Sequence, residues 1–225
     1  MQGGRFDLHV HTRASKDSSL SVEDVLRDAL VQGLQGVAIT DHNSVAALPS
    51  ARKAFESAPG FLLLPGVEVS TREGHLLVYG IEKAPAAHRP LAETLDEVAR
   101  LGGVPVLAHP YRWAHGVGKE LARTSRVLGI ETMNGRNSEV PNAKAGVVAA
   151  SRQVAATGGS DAHERGSIGR CFTRFSGEVR NAEDLLELLR HGHTQGEGRS
   201  QGLEGRVRIS LKNAGKRLLR GLSGV

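Results

Sequence analysis

Nine side chains that bind metal ions readily are spread along the chain, each close to a run of apolar residues. They are six of the ten histidines and three carboxylates, namely His9, His11, Asp17, His42, Glu68, His75, His109, Asp161 and His163. Imidazole and carboxylate groups gathered from several strand ends are typical ligands of transition-metal ions. The pattern therefore predicts one site with more than one metal ion at the mouth of a barrel.

Two of the segments place a ligand at every second residue. One residue separates His9 from His11 and Asp161 from His163, and alternate residues of a strand project to the same face. Two glycines precede the second pair, which indicates a close approach of the backbone. A single His-x-His segment is more often incidental than functional, but candidate ligands in five separate segments of one chain favour a common site.

Two other candidates have a structural alternative. Asp41 and His42 follow an apolar run, and Asp41 is equally suited to cap the next helix. Glu68 lies between two valines in a run that is expected to be buried. An unpaired buried carboxylate is costly, so a metal ion or a cation beside Glu68 is the favoured interpretation.

Apolar runs that predict strands alternate with helical patterns along the body of the chain. The predicted strands lie in residues 5–10, 36–40, 61–69, 75–81, 104–109, 128–134, 154–163 and 172–175, with a polar turn between the third and fourth. The predicted helices lie in residues 21–34, 44–58, 91–103, 141–154 and 181–192. Ser21 with Asp24, and Asn181, are expected to cap two of them. The alternation predicts an α/β fold in which helices close a mainly parallel sheet.

Charge divides the chain into two parts. Residues 196–225 carry seven basic and two acidic side chains, so the 29 basic and 24 acidic residues of the whole chain leave the first 195 residues balanced. We predict a single domain over residues 1–195 and a basic, glycine-containing tail over residues 196–225. Part of the tail has the pattern of a short amphipathic helix, suited either to a polyanion such as nucleic acid or to docking on the barrel.

Composition narrows the remaining classes. The sequence shows no leader peptide and no apolar run long enough to span a membrane, so we expect a cytoplasmic protein without a membrane span. The lone Cys171 agrees with a reducing compartment. Aromatic residues make up only 4% of the chain, which provides few platforms for stacking single-stranded nucleic acid.

Five motifs in order resemble those of a known family. DLHVHT with a following Asp, AITDHN, GVEVS, AHP and GSDAH are similar to the successive motifs of the PHP (polymerase and histidinol phosphatase) family, especially its stand-alone phosphoesterases. The resemblance implies a distorted (β/α)7 barrel of the PHP type. It also implies two or three divalent ions, which manganese, zinc or iron would suit.

The resemblance further implies which residues bind each ion. His9, His11, Glu68 and Asp161 would hold the first ion, and Glu68 would bridge to a second ion completed by His75 and His109. Asp17, His42 and His163 would hold the third.

Charge then indicates the substrate. Three divalent ions and three carboxylates leave a charge of about +3, which favours an anion such as a phosphate ester. The expected nucleophile is a hydroxide that bridges two ions. The catalytic candidates are Glu68, Asp161, His163 and Arg112.

Three basic residues are candidates for binding the substrate phosphate. Arg112 is preferred, because it follows His109 by three residues and a guanidinium offers two parallel donors. Arg136 and Lys144 are further candidates, although each also fits a solvated surface charge. Near them, Asp41 is suited to orient a ligand imidazole, and Glu131 to act at the mouth or to pair with an arginine.

The sequence thus predicts a metal-dependent phosphoesterase acting on a nucleotide or another small phosphomonoester. A 5′-3′ exonuclease on short RNA or DNA is one alternative, favoured by the basic tail and disfavoured by the few aromatic residues. A catalytically inactive binding or structural module is the other. Loss of ligands would mark that case, and all nine positions are filled.

Overall fold

The structure, a computed structural model, describes residues 4–200, in which nine strands and six helices alternate. The strands are β1 (Arg5–Val10), β2 (Gly36–Ile39), β3 (Leu62–Ser70), β4 (His75–Tyr79), β5 (Val104–Leu107), β6 (Gly129–Asn134), β7 (Ala155–Gly159), β8 (Cys171–Phe175) and β9 (Thr194–Gly198). The helices are α1 (Val22–Val31), α2 (Leu48–Phe55), α3 (Leu91–Arg100), α4 (Gly118–Thr124), α5 (Glu139–Arg152) and α6 (Ala182–Arg190).

All nine strands belong to one mixed sheet. Their order is β7-β6-β5-β4-β3-β2-β1-β8-β9. The pairs β1–β2, β2–β3, β5–β6 and β6–β7 are parallel, whereas β4 runs antiparallel to both neighbours, and β8 runs antiparallel to β1 and β9. The two ends of the sheet come together, because β7 lies against β1, β8 and β9. The sheet is therefore a nearly closed barrel, and the predicted α/β barrel class is confirmed. The expected mainly parallel pairing is not, because four of the eight strand pairs are antiparallel.

The helix caps form as the sequence predicts. Ser21 accepts a hydrogen bond from the Asp24 N–H while Asp24 bonds back, which completes a capping box at the start of α1. Asn181 caps α6 by accepting from the Asp184 N–H. Pro49 lies in the first turn of α2, where its missing N–H costs no helical hydrogen bond.

Apolar packing closes both sides of the sheet. One cluster joins α1 and α2 to β2, and a second joins α3 and α5 to β3 and β4. A third packs strand residues against α6, through Leu8, Leu64, Leu77, Val106, Leu185 and Leu189. This packing removes the apolar faces of the helices from water and leaves the polar strand ends to form the mouth.

Three features depart from the sequence-based expectations. Helix α4 and strand β9 carried no recognised signal. Gly196 and Gly198, expected in the basic, glycine-containing tail, belong to β9, which pairs with β8 along its whole length. The domain boundary at residue 195 therefore falls within a strand, while the predicted tail helix lies outside the described residues.

Across residues 4–200, no helix combines the length and the apolar character needed to cross a bilayer.

Candidate metal centre

Strand direction brings the nine candidate ligands to one edge of the barrel. His9 and Glu68 lie near the carboxyl ends of β1 and β3, whereas His109 and Asp161 follow β5 and β7 by two residues. His75 is the first residue of β4, and it reaches the same edge because β4 runs antiparallel to its neighbours. The mouth therefore collects side chains from both ends of the chain.

The glycines before Asp161 permit close packing, as expected. A Cβ atom on Gly159 would lie 2.3 Å from the Cβ atom of His9. Asp161 itself has φ of 54° and His109 has φ of 29°, both in the left-handed region that non-glycine residues seldom adopt. Such conformations are costly and persist where the surrounding structure imposes them, and both lie at the edge that gathers the ligands.

Glu68 is the centre of the cluster. Its Oε2 atom lies 3.3 Å from His9 Nε2, 3.2 Å from His11 Nε2 and 3.0 Å from His42 Nδ1. Its Oε1 atom lies 2.8 Å from His75 Nδ1 and 3.0 Å from His109 Nε2. One buried carboxylate thus faces five imidazole nitrogens, three on one oxygen and two on the other.

Several of these nitrogens are buried without a hydrogen bond. His9 Nε2, His11 Nε2 and His42 Nδ1 approach Glu68 closely but lack hydrogen-bond geometry, and His109 Nδ1 also has no partner. Such unsatisfied atoms are rare in folded proteins. Two ligands about 2.1 Å from one tetrahedral ion lie roughly 3.4 Å apart, which is close to the observed spacing. The residues present therefore fit divalent metal ions.

Asp161 joins the histidines to two arginines. Its Oδ1 atom lies 3.5 Å from His11 Nε2, and its Oδ2 atom accepts a hydrogen bond from Arg112 Nη2 at 2.7 Å. The Arg136 guanidinium lies 3.8 Å from Asp161 Oδ1 and 3.2 Å from His163 Nδ1. Positive charge therefore borders the cluster on one side.

A third group of ligands lies nearer the solvent. Asp17 Oδ2 is 3.0 Å from His163 Nε2 and 3.6 Å from His42 Nε2. The Asp17 side chain is 53% exposed and that of His42 is 27% exposed, whereas Glu68 is 1% exposed. The nine candidates thus form a deep group around Glu68 and a shallow group around Asp17.

The mutual charges set the protonation of the cluster. Burial would raise the pKa of Glu68, but the charge of His9 and contacts with the other imidazoles lower it well below its usual value. Burial, reinforced by the Arg112 charge, lowers the pKa of His109 to about 4. Burial would likewise lower the pKa of His42, but Asp17 and Glu68 outweigh it and raise the pKa to about 10. An anionic Glu68 and a neutral His109 are the forms in which these groups bind metals.

Buried hydrogen bonds orient two of the ligand imidazoles. Glu131 Oε1 lies 2.9 Å from His9 Nδ1. The Oε2 atom of Glu131 accepts a hydrogen bond from the backbone N–H of His109 at 2.8 Å. Ser15 Oγ lies 3.2 Å from His11 Nδ1 and donates to Asp41 at 2.6 Å. Asp41 therefore acts through Ser15 as the expected orienting group, and Glu131 lies at the mouth, where it orients His9.

Arg112 is held by neutral groups as well as by Asp161. Its Nη2 atom donates to Asn134 Oδ1 at 2.6 Å and its Nε atom to Asn137 Oδ1 at 3.0 Å. Asn134 also donates to Glu131 at 3.0 Å and to Asp161 at 3.3 Å. The two asparagines thus fix the guanidinium at the edge of the cluster.

All nine sequence-predicted ligands meet in this site, and Arg112 and Arg136 border it. Lys144 instead has an exposed side chain on α5, and its phosphate-binding role stays a prediction. Ser15 and Asn134 were not among the predicted site residues, although Asn134 ends the strand that carries Glu131. His115, which lies in none of the recognised motifs, was not among them either. His115 is exposed, but its ring stacks on His75 at 4.7 Å between centroids.

Two parts of the chain match known family models. Residues 7–122 match the family model described as the PHP domain, and residues 140–194 match a model described as PHP-associated. The first match includes seven of the nine candidate ligands. A two-domain protein from Bacteroides vulgatus, described as containing a predicted PHP-like metal-dependent phosphoesterase, has a similar fold. Its crystal structure gives a TM-score of 0.75 at 18% identity and covers 87% of this chain and 65% of that one.

Two curated relatives are named for reactions at phosphate esters. The 5′-3′ exoribonuclease Rnm of Salmonella typhimurium is 39% identical over 89 residues, which cover 37% of this chain and 30% of the relative. The phosphoribosyl 1,2-cyclic phosphate 1,2-diphosphodiesterase of Eggerthella lenta is 37% identical over 97 residues, covering 40% and 36%. The aligned part spans about a third of the length of either relative.

Proposed function

Since this chain belongs to the PHP family and is one of its metal-dependent hydrolases of phosphate esters, we propose that its substrate is a nucleotide or another small phosphomonoester. The observation that carries the proposal is the position of Asp161, which touches both the Glu68-centred histidines and the Arg112 guanidinium. A phosphate bound beside Asp161 would face metal ions on one side and arginine on the other.

We assign the ligands to three ions as the family resemblance implies. His9, His11, Glu68 and Asp161 would hold one ion, and Glu68, His75 and His109 a second. Asp17, His42 and His163 would hold a third. His42 also lies 3.0 Å from Glu68 Oε2, so it borders the second ion's ligands as well. Bound divalent ions polarise a phosphoryl oxygen and lower the pKa of a bound water towards 7. Manganese, zinc and iron all suit this mixture of ligands.

The protein's own residues place the ester. Arg112 would donate to a non-bridging phosphate oxygen through Nη1, the one guanidinium nitrogen that the two asparagines and Asp161 do not occupy. Arg136 approaches from the same side, 33% exposed. His163 Nε2 lies 3.0 Å from the Asp17 carboxylate, and His163 Nδ1 lies 2.8 Å from the Asp161 backbone carbonyl. These two contacts fix the ring beside Arg136. Together these three side chains would hold the phosphorus at the edge of the cluster.

A 5′-3′ exonuclease acting on short RNA or DNA is the second candidate. The Salmonella typhimurium relative carries this name, and its aligned segment is 39% identical. Such an enzyme would use the same centre on the 5′-terminal nucleotide of a strand. The basic tail would supply contacts to the rest of the strand by attraction to its phosphates. The inactive module is the third candidate, and the complete set of nine ligands argues against it.

A substrate screen separates these candidates. The metal-reconstituted full-length chain is incubated with AMP, ribose 5-phosphate, histidinol phosphate and a 5′-phosphorylated oligonucleotide, and released phosphate and mononucleotides are measured. We expect phosphate from at least one monoester, and no release after chelation of the metal. His191→Ala serves as the control, because His191 lies exposed at the end of α6.

Release of mononucleotides from the oligonucleotide, without phosphate from any monoester, would replace the proposal with the exonuclease. Absence of hydrolysis with every substrate and metal would favour the inactive module.

A further inference from the structure

The loop that follows β5 is tied to the metal centre at two points. Arg112 donates to Asp161 and Asn134, at 2.7 Å and 2.6 Å. Three residues later, the His115 ring stacks on His75, and the His115 carbonyl accepts a hydrogen bond from the His75 N–H at 2.9 Å. The Gly118 N–H also donates to the Pro110 carbonyl at 3.0 Å and closes the loop. The position of the backbone between Arg112 and His115 is therefore fixed.

This fixed loop presents Trp113 entirely to solvent. Trp113 is 100% exposed. It directly follows Arg112, which contacts Asp161, and it precedes by two positions His115, which stacks on His75. Consecutive Cα atoms are about 3.8 Å apart, so the backbone of Trp113 lies beside that of Arg112. Tryptophan is the largest apolar side chain, and leaving it uncovered forgoes the stabilisation that packing would give. The exposed indole, next in sequence to Arg112, is therefore available to stack on a flat ligand.

We propose that Trp113 stacks the base of a nucleoside 5′-phosphate whose phosphate is bound at the metal centre beside Arg112. The inference rests on the proposed function and deepens it by naming a nucleotide as the substrate class. The phosphate and the base of a nucleotide are separated by one ribose, and Arg112 and Trp113 are separated by one peptide bond. Every base has a flat π face, so stacking on an indole gives affinity without strong base selectivity.

The other exposed apolar side chains favour a small flat ligand over an extended apolar partner. Four of them end α1 or precede β5 and β6, at the end of the barrel opposite to the mouth; they are Leu30, Val31, Leu101 and Leu128. Val140 and Val147 are single valines two turns apart on α5. A membrane or a protein partner would require a contiguous apolar patch rather than one indole. Free mononucleotides and the 5′-terminal nucleotide of a strand share the chemistry that Trp113 would recognise.

Fluorescence tests the contact directly, because Trp113 is the chain's one tryptophan. The metal-reconstituted full-length chain is titrated with AMP, with ribose 5-phosphate and with inorganic phosphate. Stacking predicts that AMP changes the emission strongly and saturably, while the two base-free probes do not. Equal responses to AMP and ribose 5-phosphate, or no response to AMP at concentrations that saturate turnover, would overturn the proposal.

Kinetics separates this contact from the proposed function. Trp113→Ala should raise KM for AMP roughly 5- to 100-fold, the range observed when a stacking aromatic is removed. It should leave kcat, metal content and the turnover of ribose 5-phosphate unchanged, and Trp113→Phe should restore most of the affinity. Val31→Ala, another exposed apolar residue, is the matched control. If Trp113→Ala impairs AMP and ribose 5-phosphate equally, the base subsite is wrong while the phosphoesterase stands.

A 5′-phosphorylated dinucleotide distinguishes the two sources of the base. A larger effect of Trp113→Ala on the dinucleotide than on AMP identifies a strand end as the ligand, and a larger effect on AMP identifies a free nucleotide. No hydrolysis of any monoester, with AMP still changing the emission, would overturn the proposed function but leave the base subsite in place. No effect of Trp113→Ala on either substrate would overturn the subsite.

Discussion

The deep and shallow groups of the metal centre differ in burial and in how firmly neighbouring residues hold the ligands. His9, His11 and Glu68 are 0–1% exposed, and Glu131 fixes His9 from behind. Asp17, by contrast, is 53% exposed and reaches His163 from the solvent side. Burying a carboxylate among imidazoles is costly unless charge compensates it. We therefore propose that the deep group retains its metal, and that the shallow group exchanges an ion or opens for substrate.

The sharpest test of this contrast is Glu68→Gln. The change keeps the shape of the side chain but removes the negative charge shared by five imidazoles. We expect two ions to be lost and turnover to fall by more than roughly 1000-fold. Metal content by elemental analysis and phosphate release measure the two effects. Glu139→Gln, an exposed change on α5, is the control, and metal loading near wild type in Glu68→Gln would contradict the bridging role.

Arg112→Ala should separate phosphate binding from metal binding. Because Arg112 contacts Asp161 through its guanidinium only, its loss should lower kcat/KM for a phosphomonoester by roughly 10- to 1000-fold and leave the ions bound. Steady-state kinetics together with metal analysis check this. Arg126→Ala, which removes an exposed guanidinium paired with Asp96, should have no effect. Wild-type kinetics in Arg112→Ala would move the role to Arg136 or Lys144.

The shallow group is probed by His163→Ala and Asp17→Asn. Each removes a ligand from the third ion only, so we expect the loss of about one equivalent of metal and a partial loss of turnover. Both effects should be milder than those of Glu68→Gln. Asp96→Asn, an exposed carboxylate change, is the control. Equal losses of metal from His163→Ala and Glu68→Gln would remove the distinction between the two groups.

The ligand set was predictable because the family motifs fall in segments whose alternating or apolar pattern predicts strands. One residue separates His9 from His11, and apolar runs surround Glu68, so both segments are predicted as strands that carry ligands. The order of the family motifs then predicts that all nine ligands belong to one site. The reversal of β4 also follows from the sequence, since the connection over residues 71–74 is far too short for a parallel crossover. That hairpin is what brings His75 to the mouth.

Other features depend on long-range contacts that composition conceals. Gly196 and Gly198 were predicted to lie in the tail, yet they belong to β9, and a Cβ atom on Gly196 would lie 2.4 Å from the Thr157 carbonyl oxygen. Glycine is needed there for the strand to approach β7. Asn134 and Ser15 belong to no recognised motif. Their contacts with Arg112 and His11 become evident only in the folded structure. The exposure of Trp113 likewise cannot be read from its sequence position.

The smallest effect is expected from removing the tail. A chain that ends at Ser200 keeps β9, including the ion pair between Arg174 and Glu197, and every proposed ligand. It should retain metal content and activity on a small ester, while binding of RNA or DNA becomes weaker and loses salt dependence. Ending the chain at His193 instead would remove β9 and should destabilise the fold, as thermal unfolding would show. Loss of metal from the Ser200 chain would mean that the tail supports the barrel.

Metal stoichiometry coupled to activity tests the central claim most directly. The full-length chain is stripped with a chelator and titrated with manganese, zinc or iron, and bound metal and phosphate release are measured at each step. Two or three equivalents should bind, and activity should appear only as the deep group around Glu68 fills. Binding of less than one equivalent of every metal, or full activity in the stripped protein, would contradict the assignment of this cluster as a catalytic metal centre.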